Sequence, residues 1–182
     1  MAAARIKGVL SPVVTPFKRD LSPDVGRFIA HCGLAVFGTN SEANSMSAKE
    51  RMGLLDAIVS AGVPTDRMMP GTGACSINEA AEVSAHATKL GVGGVLMLPP
   101  FYYKNVSEDG LFAAFAEVIE GVGDSRLRVY LYHFPQISAV PLPAALIERL
   151  LARYPDSVAG MKDSSGELAN MTDTARRFPG FD

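Results

Sequence analysis

An α/β fold with a parallel sheet is what this sequence predicts, and three observations carry the prediction. Short apolar, β-branched runs alternate with helical patterns along the 182 residues. The runs begin roughly 25 to 34 residues apart, the spacing of a strand–helix–strand unit. Strict alternation of this kind means a parallel sheet, either doubly wound or closed into a barrel. A dinucleotide-binding sheet is disfavoured, because Gly71-Thr72-Gly73 lacks the third glycine of Gly-x-Gly-x-x-Gly and no such motif follows the first strand. A P-loop is absent from the sequence as well. The barrel is the better reading.

The elements follow in order. Residues 8–15 form the first strand, and a weak helix runs over 23–31. Residues 34–37 form the second strand. The helix over 47–62 opens on Ser47-Ala48-Lys49-Glu50, a capping box in which serine and glutamate each satisfy the other's backbone N–H. The third strand, 68–71, precedes an alanine-rich helix over 76–90 closed by Gly91. The fourth, 95–98, stops at Pro99-Pro100. The helix over 107–119 puts Leu111, Phe112, Phe115 and Ile119 on one face. The fifth strand, 129–132, leads to a helix over 141–154 with a stripe of Leu146, Ile147, Leu150 and Leu151. The sixth strand, 158–161, and a helix over 167–178 come last.

A complete barrel of eight such units needs about 250 residues. Six units therefore point to an incomplete (β/α)8 barrel, one partial domain over residues 1–182. The first crossover is short, since His31-Cys32-Gly33 leads directly into the second strand. Residues are expected to be missing near Cys32 and beyond Asp182. The first and sixth strands are then unpaired edges, and residues 1–182 alone are expected to be aggregated or inactive.

Composition narrows the function classes. The chain is 48% hydrophobic and 20% charged with net charge −2, so it carries no basic footprint for nucleic acid or an anionic membrane. No apolar run reaches the roughly 18 residues of a membrane span, and the first residues lack a signal core. A cytoplasmic protein without nucleic-acid or membrane partners is expected. Cys32 and Cys75 lie far apart and read as reduced thiols. His31 and His86 have no carboxylate or cysteine at ligand spacing, so no metal is expected; no cofactor is expected either.

Chemistry concentrates at the carboxyl ends of the strands, the edge where α/β barrels place it. The run Val158–Met161 delivers Lys162 and breaks at once into Asp163-Ser164-Ser165-Gly166. Desolvation there disfavours an ammonium, and a neutral amine is the nucleophile that forms a Schiff base with a carbonyl. A lysine snorkelling to solvent or paired with Asp163 is the other reading. After the second strand, Phe37–Ser45 offers hydroxyls and amides suited to a carboxylate. Pro99-Pro100-Phe101-Tyr102-Tyr103 follows the fourth strand, and Tyr130-Leu131-Tyr132-His133-Phe134-Pro135 ends the fifth. Tyr130 and Tyr132 share a strand parity, so alternation alone does not select between them.

Taken together, Thr15-Pro16-Phe17, Gly38-Thr39 with Glu42, Pro100-Phe101-Tyr102, Tyr132-x-x-Pro135 and Gly160-x-Lys162-Asp163-Ser164-Ser165-Gly166 form an ordered set spanning nearly the whole chain. The set resembles the family of dihydrodipicolinate synthase and N-acetylneuraminate lyase, pyruvate-dependent class I aldolases on a (β/α)8 TIM barrel. The resemblance implies that Lys162 captures pyruvate as an imine, an electron sink that lets the pyruvate methyl react as an enamine. It implies that Tyr132 moves protons to the imine and the acceptor carbonyl, with Thr39 and Tyr102 as a hydroxyl relay to solvent. The counterpart of Tyr102 often crosses a subunit interface, which implies a homo-oligomer, a dimer or tetramer. The turn at Gly38, Thr39 and Asn40 matches the amides that clamp the pyruvate carboxylate.

Departures from the family's pattern shape the substrate expectation. The common Gly-Thr-Thr-Gly-Glu is here Gly38-Thr39-Asn40-Ser41-Glu42, and the usual asparagine after the tyrosine is His133. His133 is read as orienting Tyr132 at the substrate site. The lysine-pathway synthase carries an arginine shortly after Tyr-x-x-Pro for its aldehyde's carboxylate, whereas Gln136-Ile137-Ser138 holds no cation. The expectation is a Schiff-base lyase or aldolase acting on pyruvate or another 2-keto acid, distinct from the true lysine-pathway enzyme. A sugar-acid dehydratase using the same lysine imine is one alternative, and a truncated, non-catalytic chain is another. A pyridoxal phosphate barrel is disfavoured, because neither a phosphate-binding glycine loop nor a first-strand lysine is present.

Overall fold

The structure, a computed structural model, describes residues 6, 8–31 and 34–182. The irregularity expected at Cys32-Gly33 lies outside the described residues. Helix α1 (Val25–Ala30) starts where the Asp24 carboxylate accepts from the Arg27 N–H. Helix α2 (Ala48–Ser60) opens on the expected capping box between Ser47 and Glu50. Helix α3 (Ile77–Lys89) begins at Ser76, which caps it with its hydroxyl. All three starts follow from one cause: the first N–H groups of a helix have no intrahelical acceptor, and a short oxygen-bearing side chain supplies one.

Three strands form a parallel sheet in the order β1 (Val95–Met97), β2 (Val129–His133) and β3 (Val158–Asp163). Helix α4 (Glu108–Val122) crosses from β1 to β2, again capped by a serine, Ser107. The first three expected strands lie alongside but make only single bridges, Pro12 with Ala35 and Gly71 with Leu96, and the second ends at Phe37 in the left-handed region (φ 58°). Hydrogen bonds from Met69 N–H to Leu34 O (2.9 Å), Gly71 N–H to Val36 O (2.8 Å) and Leu96 N–H to Pro70 O (2.9 Å) keep the order of neighbours. Full ladders are interrupted there because Pro12 and Pro70 have no N–H to donate. Gly71 is also pressed so close that a Cβ would fall 1.9 Å from Phe37 O.

One further helix appears that the sequence reading did not anticipate, α5 (Pro135–Ser138), opened by a proline at its first position. The helix expected over 141–154 starts later, as α6 (Ala144–Arg153), with Pro143 in extended backbone just before it. Helix α7 (Leu168–Arg177) follows β3. The expectation that the sixth strand is an unpaired edge needs correction. Asp182 N–H donates to Ala159 O (3.0 Å) and Met161 N–H donates to Asp182 O (2.9 Å), so the chain returns to that edge.

The sheet separates two apolar layers. Val95, Met97, Val129, Leu131 and Val158 pack towards the helices, in the larger core. Met69, Leu96, Tyr130 and Tyr132 form a smaller cluster on the other side, the interior of the curved sheet. Alternation along β2 explains the split directly. Along β3 it fails at one place: Val129 pairs with Val158, yet Tyr130 pairs with Gly160, leaving Ala159 as an extra residue. This bulge reverses parity for everything after it. Among the described residues no helix is long and apolar enough to cross a membrane.

Candidate active site

Because of the bulge, Lys162 becomes the register partner of Tyr132. Its Nζ donates to the Tyr132 hydroxyl at 3.2 Å and stands 4.2 Å from the ring centroid. Thr39 Oγ1 lies 3.3 Å from the same hydroxyl. Three residues from three strand ends, 93 positions apart between Thr39 and Tyr132, thus meet at one phenol oxygen. Tyr132 itself is buried. Burial pushes its phenol up, but hydrogen bonds from Thr39, Ser164 and Lys162, with the lysine's charge, outweigh that and hold it below the ordinary value.

Lys162 is exposed, not desolvated as expected. Its side chain lines a cavity of about 370 Å³ on the interior side, together with Gly38, Thr39, Asn40 and the apolar Leu96 and Met161. Facing that space beside the Tyr132 ring, the side chain stays in contact with solvent. The alternative of an ion pair with Asp163 is not realised. Asp163 accepts from the Ser165 N–H (2.7 Å) and from Asn170 Nδ2 (2.6 Å) instead. Burial pushes its carboxyl up, but those bonds and the neighbouring His133 together hold it below the usual carboxylate range.

The loop carrying Thr39 is held by its own backbone. Ser41 N–H donates to Gly38 O (3.1 Å) and Glu42 N–H to Thr39 O (3.0 Å). Among the described residues the N–H groups of Thr39 and Asn40 have no acceptor. Ser41, which stands where the family pattern has glycine, is fully buried. Its hydroxyl donates to Val13 O, and its carbonyl accepts from Thr15 Oγ1 (2.7 Å). The serine therefore ties this loop to the first extended segment.

Two expected residues stand apart. His133 occupies the opposite face of β2 from Tyr132, is buried, and accepts at Nδ1 from the Leu142 N–H (3.2 Å). Neighbours on a strand point to opposite faces, so the residue after Tyr132 is directed at the helices and does not reach the cavity. Tyr102 is 73% exposed on the loop after β1 and packs edge-to-face on Tyr103, centroids 5.2 Å apart. Within one chain it makes no link to Thr39 among the described residues. One contributor escaped the sequence reading: Ser164, which helps hold the Tyr132 phenol below its ordinary value. The signal was present, since Ser164 follows Lys162 by two and shares its strand parity. Among the described residues no cluster of metal-ligating side chains occurs.

The parallel sheet thus sets a lysine and a tyrosine side by side at adjacent strand ends. The chain belongs to the Dihydrodipicolinate synthetase family, which matches residues 5–180. It is 35% identical over 174 residues to an uncharacterized DapA-like lyase of Chloroflexus aurantiacus, covering 90% of this chain and 58% of that one. It is 30% identical over 176 residues to a 4-hydroxy-tetrahydrodipicolinate synthase of Rhizobium meliloti, covering 92% and 58%. The crystal structure of dihydrodipicolinate synthase from Agrobacterium tumefaciens superposes with a TM-score of 0.87 at 35% identity, over 93% of this chain and 62% of that one. YagE, an Escherichia coli K12 prophage protein of the dihydrodipicolinic acid synthase family solved with pyruvate, gives 0.78 at 27% identity, over 98% and 62%. The fold is thus an α/β fold that matches part of a TIM barrel, and the chain spans about 58% to 62% of the lengths of these relatives.

Proposed function

We propose that residues 1–182 are a single partial-barrel catalytic domain that binds a 2-keto acid as an imine on Lys162 and acts as a lyase of the class I aldolase type. The observation that carries this reading is the pairing of Lys162 Nζ with the Tyr132 hydroxyl at 3.2 Å. The unprotonated amine adds to the ketone carbon, forming a C–N bond and a carbinolamine. Tyr132 protonates the carbinolamine hydroxyl, water leaves, and the nitrogen lone pair closes the C=N bond. The phenol recovers its proton through Thr39. Loss of a proton from the adjacent methyl carbon then gives an enamine, whose electron pair attacks an aldehyde; in reverse, the protonated imine accepts the electrons of the breaking C–C bond and becomes the enamine. The imine is the electron sink, so the chemistry calls for no cofactor.

The free N–H groups of Thr39 and Asn40, on the cavity wall beside Lys162, suit the keto-acid carboxylate. Farther along the rim, Gln136 Nε2 donates to Ser165 O (2.5 Å) and Ile137 is exposed, so this stretch offers no charge to a second carboxylate. The preferred partner is accordingly an aldehyde or sugar acid without a carboxylate at that end, and elimination of water from a sugar acid uses the same imine. The exposed Tyr102 and Tyr103 suit a second copy of the chain in a homo-oligomer.

Borohydride reduction in the presence of pyruvate tests the reading. The expected result is one reduced pyruvate adduct on the peptide containing Lys162. Adduct on Lys104 or Lys89 instead, or none on folded protein, overturns it.

A further inference from the structure

We propose that Lys104 is a positioning residue: from the loop after β1 it holds the far end of α5, and so keeps Phe134 against the ring of Tyr132. The proposal rests on the imine reading only for its effect on rate. Helix α5 is a single turn, Pro135–Ser138, and a first turn fixes several dihedrals for one hydrogen bond, so it depends on anchors outside itself. Its last carbonyls also lack intrahelical donors. Lys104 supplies one, since its Nζ donates to Ser138 O at 2.8 Å. The same Nζ donates to Phe101 O and closes the turn that carries Tyr102 and Tyr103. An ammonium has three N–H donors, so one nitrogen serves both carbonyls. Among the described residues no carboxylate takes the lysine instead.

From Ser138 the contacts run on to the site. Its N–H (2.9 Å) and its hydroxyl (3.0 Å) both donate to Phe134 O. Phe134, the residue before α5, sets its ring 5.8 Å from that of Tyr132, tilted by 35°, against the interior apolar cluster. On the other flank Gln136 Nε2 donates to Ser165 O (2.5 Å), in the turn after Lys162. Helix α5 is thus clasped between the loops after β1 and β3. Without Lys104 it keeps the Gln136 clasp alone and pivots about it, and Phe134 moves with it along the Tyr132 ring.

The test follows the nuclear magnetic resonance signal of Tyr132 in protein isotope-labelled at the tyrosine rings, assigned by its loss in Tyr132→Phe. Lys104→Met, which keeps the aliphatic stem and removes the donors, is expected to shift that signal. Hydrogen exchange at the Ala139 N–H, which closes α5 on Pro135 O (2.8 Å), should quicken about tenfold, the worth of one hydrogen bond. Borohydride trapping of pyruvate on Lys162 should slow by up to about the same factor. Lys104→Arg, which keeps a donor at that reach, restores all three. Lys89→Met removes an exposed lysine on α3 and changes none of them. Lys104→Ala replaces Lys104→Met if the latter does not fold. An unmoved Tyr132 signal, exchange rate or trapping rate in folded Lys104→Met overturns the proposal. So does a change that Lys104→Arg fails to reverse, or an equal change in Lys89→Met. A shifted signal and quicker exchange in protein whose parent never traps pyruvate support the positioning role and count against the imine reading alone.

Discussion

Tyr132 and Lys162 face one another only because β3 carries an extra residue, Ala159, between the partners of Val129 and Tyr130. Val158 packs towards the helices, and strict alternation from it would send Lys162 the same way. The bulge turns the lysine to the interior. Gly160, just after the bulge, has no room for a side chain: a Cβ would lie 2.8 Å from Tyr130 Cδ1 and 2.5 Å from Asp182 O.

Gly160→Ala should therefore damage both stability and the site. Overpacking of this kind costs about 1–3 kcal/mol. Urea denaturation should show that loss, with weaker trapping of pyruvate on Lys162. A variant as stable as the parent would mean that β3 can shift freely.

Tyr132→Phe removes the proposed proton donor and leaves Lys162 in place. Turnover should fall about 10²- to 10⁴-fold, as on loss of one general acid–base group. Borohydride trapping should persist at a reduced rate. Unchanged kinetics would transfer the role to another hydroxyl.

Asp163 makes a pH prediction with a definite sign. Its folded-state carboxyl lies below the unfolded one, mainly through Ser165 and Asn170 against the opposing effect of burial. Its contribution to stability is full above the ordinary carboxyl value of about 3.9 and fades as the pH falls through the lower folded-state value. Asp163→Ala should be less stable than the parent at neutral pH, and the gap should narrow in acid. A gap that is the same at both ends would refute the linkage.

The proposed substrate choice rests on the neutral rim at Gln136 and Ile137. Condensation with aspartate semialdehyde should be slow, and Ile137→Arg should raise it by supplying a bidentate partner for the second carboxylate. Each charge-assisted hydrogen bond is worth roughly 1.5–3 kcal/mol, enough for a tenfold gain or more. Efficient condensation by the parent protein would show that a cation reaches the carboxylate from elsewhere.

An ion pair with a buried arginine supplies a stability test away from the site. Arg51 on α2 is buried and meets Glu79 on α3 at 2.5 Å, while its Nε and Nη1 have no partner among the described residues. Glu79→Ala leaves the guanidinium uncompensated and should cost roughly 1–3 kcal/mol. Arg51→Met removes the charge and should be nearly neutral or stabilising. The reverse order in chemical denaturation would show that the arginine is the better satisfied partner.

By itself the sequence determined the parallel α/β plan, because apolar runs, serine caps and breakers are local signals. Ser47 with Glu50, Ser76 and Ser107 each start a helix within a residue of the expected place. It also singled out Lys162, Tyr132 and Thr39, through strand-end position and family resemblance, and these are the residues the fold brings together. Only the tertiary structure decided which side of each strand they occupy. Parity is counted from a reference residue, and a one-residue bulge at Ala159 resets the count with no mark in composition or hydropathy. The same geometry turned His133 to the helices and set Tyr102 out in solvent. Whether a side chain meets a cavity or a helix depends on what the rest of the chain packs behind it, and no local pattern encodes that.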